Sequence, residues 1–235
     1  MGLTDRVWTV KDVIPLMNQW RPASNSDSLE GMSQDHWEHI YRTKDPTQVS
    51  WYQPEPRLSL DLIRRAAPDL HAPIIDVGGG ASTMVDGLID AGYRNVTVLD
   101  LAPSALAIAQ ERIGARAHRV TWIAGNVLDA PLPADSYAVW HDRAVFHFLT
   151  DPEERTRYVA QTRRVVRPGG YAIVASFGPE GPTRCSGLDV VRYSPDTMHE
   201  EFGEGFRLLD SVREDHHTPS GAIQAFVYCL CRVKG

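Results

Sequence analysis

Ile74-Ile75-Asp76-Val77-Gly78-Gly79-Gly80-Ala81-Ser82 is the stretch from which the rest of this 235-residue chain can be read. An apolar run carrying one acid passes straight into three glycines. Such a strand lets the main chain bend sharply, and lets a ligand come where a side chain would collide. Twenty-four residues after Asp76, Asp100 closes a second apolar run, Val96 to Asp100. There a carboxylate can accept hydrogen bonds from both hydroxyls of a ribose. Strand, glycines, helix and second-strand acid together point to an adenosine-containing ligand; a purely structural tight turn is the competing reading.

Outward from that stretch, short apolar runs alternate with helical periods. Helix is expected over Thr83 to Ala91, stopped by Gly92, and over Pro103 to Ile113, opened by proline and stopped by Gly114. Val120 to Ala124 reads as strand three, Tyr137 to His141 as strand four, Pro152 to Val166 as a helix closed by Pro168 and Gly169, and Tyr171 to Phe177 as strand five. Phe206 to Arg213 and Ala222 to Val233 are joined by a connection too short for a parallel crossover, so an open, mainly parallel sheet ends in one reversed strand. Before Pro73, Leu58 to Ala67 has helical spacing, and His36 to Tyr41 resembles a helix face. Trp51, Tyr52, Pro54 and Pro56 make an extended aromatic stretch. Residues 1–31 end in a polar run without periodicity and read as a flexible extension, or as a short helix around Val13 to Trp20 lying on the domain. Residues 32–235 read as one domain, with 32–67 as its helical and aromatic lid.

Composition narrows the partners. With 43% hydrophobic and 23% charged residues, the chain is an ordinary globular one. Its 24 basic and 30 acidic residues give a net charge of −6, which repels a phosphate backbone, so nucleic acid is not expected. Three cysteines fit a reducing cytoplasm better than a disulfide framework. No membrane span or signal-peptide stretch is recognisable, and no histidine or cysteine spacing argues for a metal. Cys229 and Cys231 face one side of a strand and should pack, while His216 and His217 read as a solvated turn.

Which adenosine ligand is decided by what the loop lacks. Ala81, Ser82 and Thr83 stand where a dinucleotide site needs its third glycine, and no Tyr-x-x-x-Lys pair follows. Lys11, Lys44 and Lys234 are the only lysines, so there is no Gly-Lys-Ser/Thr loop for ATP. The residues resemble class I S-adenosylmethionine-dependent methyltransferases over roughly 36–233. The likeness rests on Asp76 to Gly80, Asp100, Gly125-Asn126-Val127, His141-Asp142, Arg167-Pro168-Gly169-Gly170 and the reversed last strand. It implies an α/β, Rossmann-like, doubly wound, seven-stranded sheet, and S-adenosylmethionine as cofactor. Gly78, Gly79 and Gly80 would face its methionine part, Asp76 its amino group, Asp100 with Leu101 the ribose, and Asn126 and Val127 the adenine, with His141 nearby. Ser82 departs from a commoner third glycine. His36-Trp37-Glu38, Tyr41, Ser50-Trp51-Tyr52 and Asp142 to Phe148 further resemble a group of small bacterial methyltransferases. They are also similar to elongation-factor lysine methyltransferases, except that Arg143-Ala144 replaces a Lys-Gly pair, and to methyltransferases of small thiols.

Methyl transfer from a sulfonium is chiefly a matter of alignment. The acceptor pocket should therefore be an aromatic, water-poor lid with a few polar groups. Trp37, Tyr41, Trp51 and Tyr52 could close over the sulfonium by cation–π contact, or be ordinary core. His141 and Asp142 lie at the ligand-binding edge, with an ion pair or cap as the alternative. Arg143 and His147 would form a cationic face that lowers a thiol pKa or binds an anion, or are structurally paired. Cys185, beside Arg184 in a Gly/Pro-rich loop, would have a lowered pKa if functional. The expected activity is methylation of a small-molecule thiol, sulfide or similar soft group. A protein lysine is the alternative acceptor, and a non-catalytic cofactor-binding module is the rival from another class.

Overall fold

Ile74–Val77 (β1) and Val96–Asp100 (β2) are buried along their whole length in the computed structural model, which describes residues 33–235. A strand inside a parallel sheet covered on both faces has no wet side, which is why neither run alternates apolar with polar. The expectations for residues 1–31 lie outside the described residues. Around this pair stand Val120–Ala124 (β3), Tyr137–Arg143 (β4), Val166–Phe177 (β5), the two-residue strands Arg184–Cys185 (β6) and Leu188–Asp189 (β7), Phe206–His217 (β8) and Ile223–Val233 (β9). The main sheet has seven strands in the order β3-β2-β1-β4-β5-β9-β8. β1 to β5 pair in parallel and β9 runs antiparallel between β5 and β8. The mainly parallel sheet with one reversed strand is as the sequence implies.

Six helices are described: Gln34–Thr43 (α1), Arg57–Ala66 (α2), Met84–Asp90 (α3), Pro103–Ile113 (α4), Pro152–Val165 (α5) and Pro195–Phe202 (α6). Pro103 and Pro152 sit in first turns, where the missing N–H costs nothing. The structure corrects three sequence expectations. β4 runs on to Arg143, two residues past His141. β5 begins at Val166 rather than Tyr171, because Gly169, at φ +78°, keeps Arg167 to Gly170 within an irregular strand instead of breaking it off. His216 is no solvated turn residue: it is buried near the end of β8, with Nε2 donating to Ser50 O at 2.8 Å. The short β6–β7 hairpin and α6 were not anticipated. Cys229 and Cys231 are buried, free thiols in the core.

Behind β4 the core contains one fully buried polar knot. Trp140 Nε1 donates to Tyr158 Oη at 2.8 Å, and that hydroxyl donates to Asp142. Asp142 also accepts the Val145 and Phe146 N–H groups at 2.8 and 3.0 Å, closing the turn after β4. All three side chains are completely buried, so each polar atom depends on the others. Tyr158→Phe leaves the indole N–H without an acceptor and the carboxylate one donor short. It is expected to lower unfolding free energy by about 1–3 kcal/mol in denaturant titration, and an unchanged midpoint would refute that role for the knot.

Candidate active site

β1 lies between β2 and β4, where the order of winding reverses, and this is the edge at which open α/β sheets bind ligands. The loop after β1 is built around two acids. A Cβ on Gly79 would lie 2.4 Å from Asp76 Oδ2, and one on Gly80 would lie 2.6 Å from Asp100 Oδ2. Bare main chain is what allows both carboxylates to sit against the bend. Gly78, at φ +65°, also passes under Val145, whose methyl would be 2.0 Å from a Cβ there. Its N–H donates to Leu99 O at 2.7 Å, fastening the loop to β2. Where a third glycine was expected, Ser82 Oγ accepts the Met84 N–H at 3.0 Å. Arg112 donates to the Ala81 and Ser82 carbonyls at 2.7 and 2.6 Å and pairs with Asp86 at 2.7 Å. A latch from α4 thus holds the loop.

The two acids are held differently. Asp76 Oδ1 lies 2.7 Å from His141 Nδ1, and since a carboxylate only accepts, Nδ1 carries the proton. His141 Nε2 meets Ser59 Oγ at 2.9 Å. Asp76 Oδ2 is buried with no partner. Asp100 Oδ1 accepts the Ala102 N–H at 2.8 Å. Burial pushes the Asp100 carboxyl up to about 7, against the downward pull of the Ala102 N–H.

Two clefts of about 650 and 580 Å3, counted with their open mouths, meet at Tyr41, Trp51, Val77, Gly78 and Arg143. The first holds Asp100, Leu101, Gly125 and Val127; the second holds Asp76, Gly79 and His141. Trp37, Tyr41 and Trp51 wall the first cleft, Trp51 meeting both other rings edge-on, with Trp37–Trp51 and Trp37–Phe148 centroids 5.9 and 5.1 Å apart. Lid and core readings therefore both apply to them. Tyr52 lines only the second cleft. The lid is sewn down: Ser50, Trp51 and Gln53 carbonyls accept from His216, Arg143 and Thr83, and Glu38 Oε1 accepts the Ser104 N–H at 2.8 Å.

Several expected roles change. His147 and Arg143 form no cationic face. His147 is fully buried against Phe148 and Phe177, and burial pushes its pKa down to about 3, so the ring is neutral. Burial likewise raises Cys185 to about 12, and Arg184 turns away to Asp189 and Gly187 O; the side chain is a wall of the first cleft in its thiol form. Asp142 is spent inside the knot behind β4, and burial raises its carboxyl to about 6. Asn126 Oδ1 accepts the Leu128 N–H at 3.0 Å, which takes the amide oxygen expected to read adenine. His141 supports Asp76. Ser59, Tyr228 and Glu214 were missed. For Ser59 the signal was available: it is the polar member of the buried stripe Ser59, Leu62, Ile63, Ala66. Among the described residues no cluster of His, Cys, Asp or Glu is arranged to hold a metal, and no helix is long and apolar enough to cross a membrane.

Comparison with known proteins agrees with this geometry. Residues 74–170 match the methyltransferase domain family. The chain is 27% identical over 156 residues to a Bos taurus eEF1A lysine and N-terminal methyltransferase; the match takes in 64% of this chain but 22% of that protein's length. It is 32% identical over 121 residues to the ubiquinone/menaquinone biosynthesis C-methyltransferase of Methylobacterium nodulans, covering 49% of this chain and 47% of that protein. Among solved structures, Burkholderia thailandensis 1,6-didemethyltoxoflavin-N1-methyltransferase, with S-adenosylhomocysteine bound, superposes with a TM-score of 0.67 at 18% identity, covering 92% of this chain and 93% of that one. Residues 74–170 thus match a methyltransferase domain, the fold around them is that of solved S-adenosylmethionine-dependent methyltransferases, and S-adenosylmethionine is the cofactor this implies.

The residues present suit that cofactor. The unpartnered, buried Asp76 Oδ2 lacks a cationic donor such as an ammonium, and the buried Asp100 carboxyl, raised by loss of water, gains from further donors such as ribose hydroxyls. Hydroxyls that donate to ionised Asp100 draw its pKa down, so binding releases a proton. S-adenosylhomocysteine affinity is therefore expected to rise from pH 6 to 8, through about 7, and then level off. Asp100→Asn should weaken binding about 10- to 100-fold and flatten that profile. Calorimetry in buffers of different ionisation enthalpy measures both; a wild-type affinity that does not change with pH would count against the assignment.

Proposed function

We propose that this class I methyltransferase domain transfers the methyl group of S-adenosylmethionine to a small soft nucleophile, a thiol or sulfide. Asp76 and Gly78 to Gly80 take the amino-acid end of the cofactor, Asp100 and Leu101 the ribose, and Val127 the adenine. Trp37, Tyr41 and Trp51 turn their rings to the space in front of the sulfur. When bound, S-adenosylmethionine supplies a methyl group already activated on a sulfonium.

The observation that supports a soft acceptor is the state of the titratable groups around the first cleft. Apart from the strand-end carboxylates, no described residue there is a base at neutral pH: Cys185 is a thiol, His147 is buried and neutral, and Asp142 is fully engaged. A positioned base is worth about 10²- to 10⁴-fold when the acceptor must lose a proton. An acceptor that needs none must arrive nucleophilic, as a thiol does through its thiolate fraction of a few per cent near pH 7. A lysine ammonium arrives with its nucleophilic pair protonated, and would enter beside Arg143. The apolar, aromatic wall also favours a reaction in which anionic sulfur and cationic sulfonium cancel their charges.

Incubation with S-adenosylmethionine and a panel of thiols and sulfide is expected to yield S-methyl products and S-adenosylhomocysteine. Intact-mass measurement of candidate acceptor proteins run alongside is expected to show no added methyl group. Methylated protein lysine without any methyl thioether would overturn the proposal. Tight cofactor binding with no methyl consumed across the whole panel would point instead to a binding module.

A further inference from the structure

Arg143 is the one guanidinium or ammonium among the described residues lining the two clefts, and it stands where they meet. Its side chain is 9% exposed, so the charge has left most of its water. Nε donates to Tyr228 Oη at 2.9 Å and Nη1 to Trp51 O at 3.1 Å, both neutral acceptors. Cζ lies 4.2 Å from the centroid of the Phe226 ring. Nη2 is buried and makes no hydrogen bond. The carboxylate nearest to it, Glu214 Oε2, is 3.6 Å away, and the two Glu214 oxygens already accept from Gln53 Nε2 at 3.1 Å and Tyr228 Oη at 2.9 Å. Burial holds His147, His216, Cys185 and Tyr228 toward their neutral forms, so none of them offers Arg143 a counter-charge. A dehydrated cation is costly unless it is paired and hydrogen-bonded, and this one is incompletely answered by the protein.

We propose that Arg143 is the anion-recognition point of the acceptor site, so that the methyl acceptor enters carrying a negative charge besides its reacting sulfur, such as a carboxylate, drawn to the guanidinium where the two clefts meet. This rests on the methyltransferase reading and narrows its acceptor from soft nucleophiles to anionic ones. The Arg143 fork is held from Nε and Nη1 by β9 and the lid, while Nη2 stands 3.6 Å from Glu214 Oε2, so the charge is fixed at the junction of the clefts without a close ion pair. A guanidinium fixed in this way offers directional, charge-assisted bonds to a carboxylate that a neutral or cationic acceptor cannot use.

Mercaptoacetate, 2-mercaptoethanol and cysteamine pair a primary thiol with an anionic, neutral or cationic neighbour, and their rates are compared per thiolate, because the carboxylate raises and the ammonium lowers the thiol pKa. The wild type is expected to rank them in that order by kcat/KM, with at least tenfold between the ends. Arg143→Gln should flatten the order and Arg143→Lys keep it. In parallel, calorimetry at saturating S-adenosylhomocysteine should show mercaptoacetate binding that Arg143→Gln abolishes, so that a change in S-adenosylhomocysteine affinity is read separately. Because Arg143 is partly buried, the wild-type series and Arg143→Lys decide the matter if Arg143→Gln melts early. Equal kcat/KM for the three thiols, or mercaptoacetate binding unchanged in a folded Arg143→Gln, overturns the proposal. If no thiol is methylated yet mercaptoacetate binds through Arg143, the anion site stands and the sulfur acceptor falls.

Discussion

Two carboxylates taken out of water at the ends of neighbouring strands set the terms for the structure around them. Asp76 and Asp100 are 2% and 7% exposed, and their like charges oppose each other. Burying such groups costs several kcal/mol unless donors replace the lost water. Ala102 N–H serves Asp100, and His141, backed by Ser59, serves one oxygen of Asp76. The glycine bend follows from the same demand, since any Cβ on Gly79 or Gly80 would push into a carboxylate. What the protein does not supply, a partner for Asp76 Oδ2 and hydroxyl donors that stabilise the Asp100 charge, is what a ligand with an ammonium and a ribose brings.

The support for Asp76 does not end at His141. Ser59 stands behind that ring on α2, and nearby the Tyr228 hydroxyl accepts from Arg143 and donates to Glu214. Glu214 in turn accepts from Gln53, whose carbonyl is held by Thr83 at the start of the helix after the glycine loop. Two polar paths therefore lead from the site, one from the methionine side through His141 into α2 and one from the acceptor side back through the lid. Substitution at Tyr228 disturbs Arg143 and Glu214 together, and effects measured at members of one path will not add simply.

The parallel half of the sheet was legible because it rests on local signals: β2, β3 and α4 fall on the residues where apolar runs, proline and glycine place them. The cofactor loop was legible because glycine beside acid has few other uses. α6 carried a signal that went unread, Ser194 and Thr197 capping reciprocally around Pro195. The acceptor side was misjudged for a different reason. Charge at His147 and Cys185 is decided by burial, and burial there depends on Phe177, Phe148 and Arg143 arriving from separate elements, which spacing along the chain does not encode. Tyr228 and Glu214 reach the site only because β9 inserts between β5 and β8.

The turn after β4 shows how that geometry is maintained. Ala144 holds φ +75°, a left-handed conformation that costs a residue with a Cβ about 1–2 kcal/mol and glycine almost nothing. The turn survives because its neighbours over-determine it: Ala144 N–H donates to Ala175 O at 2.9 Å, and Asp142 takes the next two N–H groups from a position with no access to water. Its consequences lie in the site. Arg143 leaves the strand into the junction of the clefts, and Val145 is carried over Gly78, closing the space a side chain there would need. Asp142, which touches neither cleft, is thus a positioning residue, and its knot with Trp140 and Tyr158 is the anchor that keeps a strained turn, and the arginine before it, in one place.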